Sequence, residues 1–229
     1  MDASTAGSGV EMKIHANSKL VMIGDSITDC GRVRPVAEAA ASAGGALGGG
    51  YVGLVNALLG AACPERRIRV VNMGLSGNTV RDLAARWETD VLALNPQWLS
   101  VMIGINDVWR HFDSRLQTEW HVPLDEYART LENLVRSTRP RLLGLVLMTP
   151  YFIEPNRDDA MRAQMDRYGA VVREIAGRHD AIAVDTQAAF DRALAEVHPM
   201  ALAWDRVHPT PAGHMILARA FLKAVDFAW

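Results

Sequence analysis

The sequence has little cysteine, with only Cys30 and Cys63 among its 229 residues. Two cysteines are too few for a disulfide framework, and their separation matches no metal-ligand spacing. We therefore expect two reduced thiols, which suits a protein of the cytoplasm. The histidines show no repeated ligand spacing either, so the sequence predicts no metal site and no cofactor.

Long hydrophobic runs and a strong charge of either sign are also absent. No uninterrupted apolar run approaches the roughly 20 residues that span a membrane, and the first ten residues have neither the basic start nor the apolar core of a signal peptide. The formal net charge is -2, which gives no reason to expect nucleic acid or an anionic membrane as a partner. These absences predict a soluble, cytoplasmic protein.

The length and a hydrophobic content of 49% indicate one large domain with a sizeable core. Small and polar residues dominate the start of the chain, so we expect a flexible tail at residues 1–16 and a single domain at 17–229. A patch rich in alanine and glycine at 39–50 is interpreted as a flexible loop before a helix at Tyr51. It lacks the Lys-Ser/Thr ending of a phosphate-binding loop.

Short apolar runs alternate with segments of helical period, which predicts an α/β fold. Five runs are apolar on both faces, as is typical of strands in a parallel sheet, and they lie at 19–24, 68–72, 98–104, 142–149 and 181–185. Helical spacing of apolar residues predicts amphipathic helices at 79–93, 124–139, 161–176 and 211–225. In such a fold helices cover both faces of the sheet, and ligands bind beyond the carboxyl ends of the strands.

Residues of catalytic type follow three of these strands. Ser26 lies in Gly-Asp-Ser after the first, Gly74 in Asn-Met-Gly-Leu-Ser-Gly after the second, and Asn106 in Gly-Ile-Asn-Asp after the third. Near the end of the chain, Asp205 and His208 stand three residues apart. Each motif alone has a structural alternative, since such residues also cap helices, form turns or make surface pairs.

Taken together, these residues supply complementary roles. A serine hydroxyl becomes a nucleophile when an adjacent base takes its proton. His208 can be that base, and Asp205 can orient its imidazole. The N–H groups of Ser26 and Gly74 and the side-chain amide of Asn106 are candidate donors to a developing oxyanion. The sequence therefore predicts the active site of a hydrolase.

The four motifs resemble, in order and spacing, the four blocks of the SGNH (GDSL-type) hydrolase family, over residues 19–229. The resemblance implies a flavodoxin-like three-layer α/β/α sandwich, here with a five-stranded parallel sheet, and ester hydrolysis without a metal. It also implies that Ser26 is the nucleophile and that Asp205 and His208 are its partners. Ser26, Gly74 and Asn106 would form the oxyanion hole.

Longer stretches around the motifs are similar to intracellular acetylxylan esterases of this family, at residues 23–32, 74–83, 102–110 and 201–209. The similarity implies a serine carbohydrate esterase that removes O-acetyl groups from acetylated xylan fragments or xylooligosaccharides through an acyl-enzyme, and that forms a homo-oligomer. Two alternatives stay open: a lysophospholipase or thioesterase that acts on longer acyl chains, and a non-catalytic binding module on the same scaffold.

Three residues beside the motifs are expected to bind the substrate: Asp25, Trp109 and Trp204. The two tryptophan rings could wall a small acyl pocket or stack against a sugar. The alternative is that they pack in the core, as large apolar side chains usually do. A narrow pocket would favour acetyl over long acyl groups.

Overall fold

A computed structural model describes residues 11–38 and 45–229 of the chain. Within these residues the strands are β1 (Lys19–Gly24), β2 (Ala37–Glu38), β3 (Arg69–Asn72), β4 (Trp98–Met102), β5 (Gly144–Met148) and β6 (Ile182–Val184). They form one sheet in the order β2-β3-β1-β4-β5-β6. Neighbouring strands run parallel except for β2, which pairs antiparallel with β3 at the edge.

Helices of the described ranges cover the sheet. They are α1 (Ser26–Asp29), α2 (Tyr51–Ala62), α3 (Val80–Trp87), α4 (Ile105–Asp113), α5 (Leu124–Thr138), α6 (Ala160–Arg178), α7 (Thr186–Leu194), α8 (Pro199–Leu202) and α9 (Pro211–Ala224). In one group α9 packs against α2 and α7. In a second group α5 packs against α3 and α6, and α6 also packs against α4. Every residue of β4 and β5 is buried, so helices cover the central strands on both faces. The predicted three-layer α/β/α arrangement is confirmed.

The sheet departs from the prediction in its number of strands. The five predicted runs all form parallel strands, but β2 adds a sixth strand of only two residues at the edge. A two-residue strand is too short to show any hydrophobic periodicity, so the sequence gives no sign of it. The predicted flexible loop at 39–50 begins directly after β2, and its first six residues, 39–44, lie outside the described residues.

The structure describes only the last part of the predicted N-terminal tail, residues 1–16. Residues 1–10 lie outside the described part of the chain. In the segment that follows, Met12 and Ile14 are buried in the core, and the Lys13 N–H donates to the Val225 carbonyl oxygen at 2.9 Å. Residues 11–16 therefore pack against the end of α9. Met12 and Ile14 stand among small and polar residues, so the composition of this segment does not indicate that it packs against the domain.

A close approach of backbone segments positions the start of α1. β1 ends at Gly24, and a single residue separates it from the first residue of α1. A Cβ atom on Gly24 would lie 2.3 Å from the carbonyl oxygen of Met102 in β4 and 2.4 Å from Oγ1 of Thr28 in α1. Only glycine leaves room for the helix to begin this close to the two central strands.

We expect Gly24→Ala to lower the free energy of unfolding by about 1–3 kcal/mol, because the added methyl group overpacks a buried site whose nearest neighbour is backbone. The matched control is Gly60→Ala, on the exposed side of α2, where no atom lies within 4 Å of the added Cβ. That change should raise stability by about 0.5–1 kcal/mol through helix propensity. Urea denaturation measures both, and equal effects would contradict the packing argument.

Candidate active site

Ser26 is the first residue of α1, directly beyond the carboxyl end of β1. The N-cap is its neighbour Asp25, whose Oδ1 accepts the Ile27 N–H at 3.0 Å. The alternative in which Ser26 serves as the helix cap is therefore wrong. N–H groups in the first turn have no acceptor inside the helix, so α1 itself does not use the Ser26 N–H.

The structure brings Ser26, His208 and Asp205 together in one hydrogen-bonded chain. Ser26 Oγ lies 2.9 Å from His208 Nε2, and His208 Nδ1 lies 2.6 Å from Asp205 Oδ2. A carboxylate only accepts, so Nδ1 carries the proton that it donates to Asp205. In the neutral imidazole this leaves Nε2 as the acceptor for the Ser26 hydroxyl proton. This is the tautomer that a general base needs.

The sharp turn at 205–208 holds the aspartate and the histidine in position. The second carboxylate oxygen of Asp205 accepts the backbone N–H groups of Val207 at 3.0 Å and His208 at 2.8 Å, and Arg206 adopts the left-handed conformation with φ of 63°. Partial burial favours the neutral carboxyl, but hydrogen bonds from the His208 ring and the two N–H groups outweigh it and hold the pKa of Asp205 below its usual range. Asp205 therefore stays ionised beside the imidazole.

The segment after β5 supports this turn from below. The buried Tyr151 hydroxyl donates to the Val207 carbonyl oxygen at 3.0 Å, and the Ile153 N–H donates to the Arg206 carbonyl oxygen at 2.9 Å. The turn thus has two backbone attachments to the sheet edge, in addition to the internal hydrogen bonds to Asp205. These attachments bring a loop from the end of the chain to the β1 strand end.

Gly74 and Asn106, two of the predicted oxyanion residues, lie just beyond the ends of strands that flank β1. Gly74 follows β3 and Asn106 lies in the first turn of α4 after β4, on either side of β1 in the sheet. The Gly74 N–H donates to Asn72 Oδ1 at 2.8 Å, and Asn106 Nδ2 donates to the Asn78 carbonyl oxygen at 3.0 Å. The second N–H of the Asn106 amide is not needed for that bond. The carbonyl contact fixes which way the amide faces.

The two predicted tryptophans differ in burial, and only Trp109 packs partly against the core. The Trp109 ring is half-buried, and its centroid lies 5.9 Å from that of His208. Trp204, which precedes Asp205, is 80% exposed. The core-packing alternative is therefore wrong for Trp204, and the Trp109 ring is the one that the structure places beside His208.

The substrate-binding role predicted for Asp25 does not fit its position. Its side chain is buried and caps α1 through the Ile27 N–H. Burial raises the pKa of Asp25 to about 7, against the opposing effect of the hydrogen bond from Ile27. Asp25 adjoins Ser26 in the sequence, but its side chain points inward. It does so because it caps α1 and because the space beyond β1 is narrow.

Two supporting residues had no role in the sequence analysis. Arg86 of α3 donates through Nη2 to the Gly24 carbonyl oxygen at 3.0 Å and through Nη1 to the Met73 carbonyl oxygen at 2.7 Å. Asn72 at the end of β3 donates to the carbonyl oxygens of Thr28 and Leu47. No sequence pattern marks either residue, because an arginine on an amphipathic helix and an asparagine at a strand end are both common.

Asp107 follows Asn106 and is completely buried. Its Oδ1 accepts the Val80 N–H at the start of α3, at 2.9 Å, and its Oδ2 has no hydrogen-bond partner in the described part of the chain. Burial raises the pKa of Asp107 to about 7, and the charge of Asp25 adds to the shift. A proton on Oδ2 removes the cost of an isolated buried charge.

Within the residues that the structure describes, no group of three or more His, Cys, Asp or Glu side chains could hold a metal ion. In the same part of the chain no helix combines the length and apolarity that crossing a membrane requires. Cys30 and Cys63 are free thiols.

The raised pKa of Asp107 makes stability depend on pH. Between about pH 4 and 7 the unfolded carboxyl has lost its proton while the folded one keeps it, so the free energy of unfolding falls as pH rises. Asp107→Asn preserves the oxygen that accepts the Val80 N–H and removes the titration. We expect its stability, measured by urea denaturation, to fall less than that of the wild type between pH 4 and pH 7.

The matched control for this measurement is Asp180→Asn, which makes the same substitution at a side chain that is 99% exposed. Its stability should follow the wild-type pH profile. If the profiles of Asp107→Asn and wild type are parallel, the buried carboxyl does not take up a proton on folding.

Comparisons with known proteins agree with this geometry. Residues 22–216 match the model of the GDSL-like lipase/acylhydrolase family. The acetylxylan esterase of Geobacillus stearothermophilus is 59% identical over 218 residues, which cover 95% of this chain and 98% of that enzyme. Its crystal structure matches with a TM-score of 0.93, and catalytic mutants of it replace a serine, an aspartate and a histidine.

A second solved structure is LAE5, an α/β hydrolase enzyme from the metagenome of Lake Arreo in Spain. It is 56% identical, with a TM-score of 0.92 over 95% of this chain and 99% of its own. Both the family match and the identity extend over most of the chain and include all the strand-end motifs. The chain therefore belongs to the GDSL-like lipase/acylhydrolase family, as a carboxylic ester hydrolase.

Proposed function

We propose that this chain is a serine carbohydrate esterase that removes O-acetyl groups from acetylated xylan fragments or xylooligosaccharides. The observation that carries the proposal is the hydrogen-bonded chain from Asp205 through His208 to Ser26. The choice of substrate is supported by the 59% identity to the Geobacillus acetylxylan esterase. The same enzyme class is favoured by the Trp109 ring beside His208 and by the exposed Trp204 next to Asp205 in the chain.

The reaction has two halves that use the same groups in opposite directions. His208 Nε2 takes the Ser26 proton as Oγ attacks the acetyl carbonyl carbon, and the ionised Asp205 stabilises the imidazolium. The imidazolium then gives its proton to the sugar oxygen as the ester bond breaks. This leaves an acetyl group on Ser26. In the second half, His208 takes a proton from water, the resulting hydroxide equivalent attacks the acyl-enzyme, and acetate leaves as Ser26 regains its proton.

The oxyanion formed in each half needs donors near the acyl carbon. We assign this role to the N–H groups of Ser26 and Gly74 and to the Asn106 amide. These groups lie just beyond the ends of three adjacent strands. The Gly74 N–H donates to Asn72 Oδ1 in the absence of substrate, so it must be shared with or transferred to the oxyanion. The Asn106 amide is held by Asn78 and has an N–H left for the oxyanion.

We assign substrate contact to Trp109, whose ring lies 5.9 Å from that of His208, and to the exposed Trp204, which precedes Asp205. An exposed indole beside the reacting atoms can cover the small acetyl group or one face of a sugar ring while its N–H bonds to water or a hydroxyl. The binding-module alternative is disfavoured because all three triad members are present and within hydrogen-bond distance.

We further propose that the protein is cytoplasmic and that it forms a homo-oligomer. The two free thiols support a reducing compartment. The C-terminal Trp229 is 65% exposed, and an indole of that exposure can be covered by a second copy of the chain. A monomeric mass in light scattering would rule self-association out.

The test of the nucleophile is Ser26→Ala, assayed on p-nitrophenyl acetate and on acetylated xylooligosaccharides. We expect kcat/KM to fall by about 10⁴-fold or more on both, because the acyl-enzyme cannot form. Ser137→Ala removes an exposed hydroxyl from α5 and should keep wild-type activity. Ser26→Ala with near-wild-type rates would mean that another residue carries out the chemistry.

Acyl-chain length separates acetyl transfer from the alternative of a lysophospholipase or thioesterase. We expect kcat/KM for p-nitrophenyl esters to decrease from acetyl to octanoyl, because Trp109 and Trp204 limit the space beside His208. In other apolar pockets, one methylene changes transition-state binding by about 1–3 kcal/mol, which is roughly 10–200-fold in kcat/KM. We expect discrimination between the acetyl and octanoyl esters of this size. An octanoyl ester that is cleaved as fast as the acetyl ester would favour the longer-chain alternative.

A further inference from the structure

A pocket of about 400 Å³ lies beyond the loop between β3 and α3 and the segment after α4. Its volume is within the range of about 300–1,000 Å³ that small-molecule sites occupy. It is lined by Gly77, Thr79, Arg81, Arg110, Glu119 and Trp120. None of the residues assigned to catalysis lines it, so it is separate from the triad itself.

The pocket adjoins the proposed oxyanion residue Asn106. Gly77 and Thr79 line it, and Asn78 between them accepts the Asn106 amide at 3.0 Å. On the other wall, Arg110 Nη2 donates to Asn106 Oδ1 at 3.2 Å. A ligand in the pocket would therefore contact residues that hold the Asn106 amide in place.

The Arg110 wall also leads toward the catalytic base. The Arg110 guanidinium carbon lies 5.4 Å from the centre of the Trp109 ring, and that ring is 5.9 Å from the His208 ring. Arg110, Trp109 and His208 are thus successive neighbours between the pocket and the triad. An extended substrate that passes these residues would occupy the pocket and the triad at once.

Both arginines of the pocket wall are paired with carboxylates, and Asp82 and Glu119 add further negative charge to the lining. Arg81 donates to both carboxylate oxygens of Glu126, at 2.5 and 2.7 Å, and Asp82 accepts the N–H and hydroxyl of Thr79, each at 2.8 Å. Arg110 is paired with Asp113. With each arginine already neutralised, the pocket offers no net attraction to a phosphate or carboxylate, and its charged walls disfavour an acyl chain.

Trp120 supplies the apolar surface of the pocket. It is 51% exposed at the end of a 3₁₀ turn, Thr118–Trp120. Arg81 holds the backbone on both sides of it, donating to the carbonyl oxygens of Glu119 at 2.8 Å and His121 at 3.0 Å. An exposed ring on a braced turn, next to polar groups, matches a ligand with both hydroxyl groups and an apolar face.

We infer that this pocket binds the sugar unit next to the acetylated one in a neutral oligosaccharide, with Trp120 stacked on the ring of that unit. The inference rests on the proposed function and adds a binding site for the rest of the sugar chain. The paired arginines leave no free cation in the described lining for an anionic ligand, and the exposed indole and the contact with Asn106 favour an uncharged polyol. The pocket accordingly sets the preference for oligosaccharides over single sugars.

The test compares acetylated xylotetraose with an acetylated methyl xyloside, which has one sugar unit and does not reach the pocket. We expect Trp120→Ala to lower the ratio of kcat/KM for the tetraose to that for the xyloside about tenfold, equivalent to about 1.4 kcal/mol. The change should come from KM of the tetraose, because stacking acts equally on ground state and transition state. Trp120→Phe keeps a ring and should restore most of the ratio.

The matched control is Leu116→Ala, at a side chain that is 90% exposed in the same segment and does not line the pocket. It should keep the wild-type ratio. An unchanged ratio in Trp120→Ala would overturn the inference, as would an equal loss on both substrates. If the wild type cleaves p-nitrophenyl acetate but neither sugar ester, the proposed function itself has failed, and the inference fails with it.

Discussion

The close contact between α1 and the ends of the central strands is the constraint on which the site depends. A side chain at Gly24 would meet β4 and α1, and a Cβ at Gly74 would lie 2.2 Å from the backbone nitrogen of Asp29 in α1. Because neither position has room for a methyl group, α1 is fixed between the loop after β3 and the strand β4. The position of Ser26 Oγ, 2.9 Å from His208 Nε2, follows from that fixed helix. The oxyanion donors come from the same two strand ends, so one packing constraint places nucleophile and donors together.

Buried polar groups around these loops lower the stability of the fold but fix the positions of the loops. Asp29 Oδ2 accepts three hydrogen bonds, from Arg34 and from the N–H and hydroxyl of Ser76, while its Oδ1 has no partner among the described residues. Asp107 shows the same asymmetry, with one oxygen bonded to Val80 and one unpaired. An unsatisfied buried polar atom costs about 1–3 kcal/mol. Each of these carboxylates ties one motif loop to another, which is a reason for a site to retain them despite that cost.

Local sequence patterns predicted the elements that are long and periodic, and the residues whose chemistry is visible in a motif. All five parallel strands were predicted because each lies in a run that is apolar on both faces, and the long helices α5, α6 and α9 because their apolar residues recur at helical spacing. The strand β2 and the helices α1 and α8 have four residues or fewer and no measurable period. The triad was predicted from the order of motifs, but the inward turn of Asp25 and the supports from Arg86 and Tyr151 depend on tertiary contacts. No spacing rule encodes a hydrogen bond from Tyr151 to a carbonyl oxygen 56 residues away.

The acid and base of the triad come from a turn that largely determines its own shape. Asp205 accepts two N–H groups of the turn and the His208 ring, so this half is preorganised before it meets Ser26. The nucleophile half depends on the glycine contacts of α1, and the two halves meet through one hydrogen bond. Substrate specificity can reside in a third region, α4 and the segment up to Trp120, which lies beside the triad at Trp109. Changes of sugar preference can therefore occur in that region while the geometry of proton transfer is preserved.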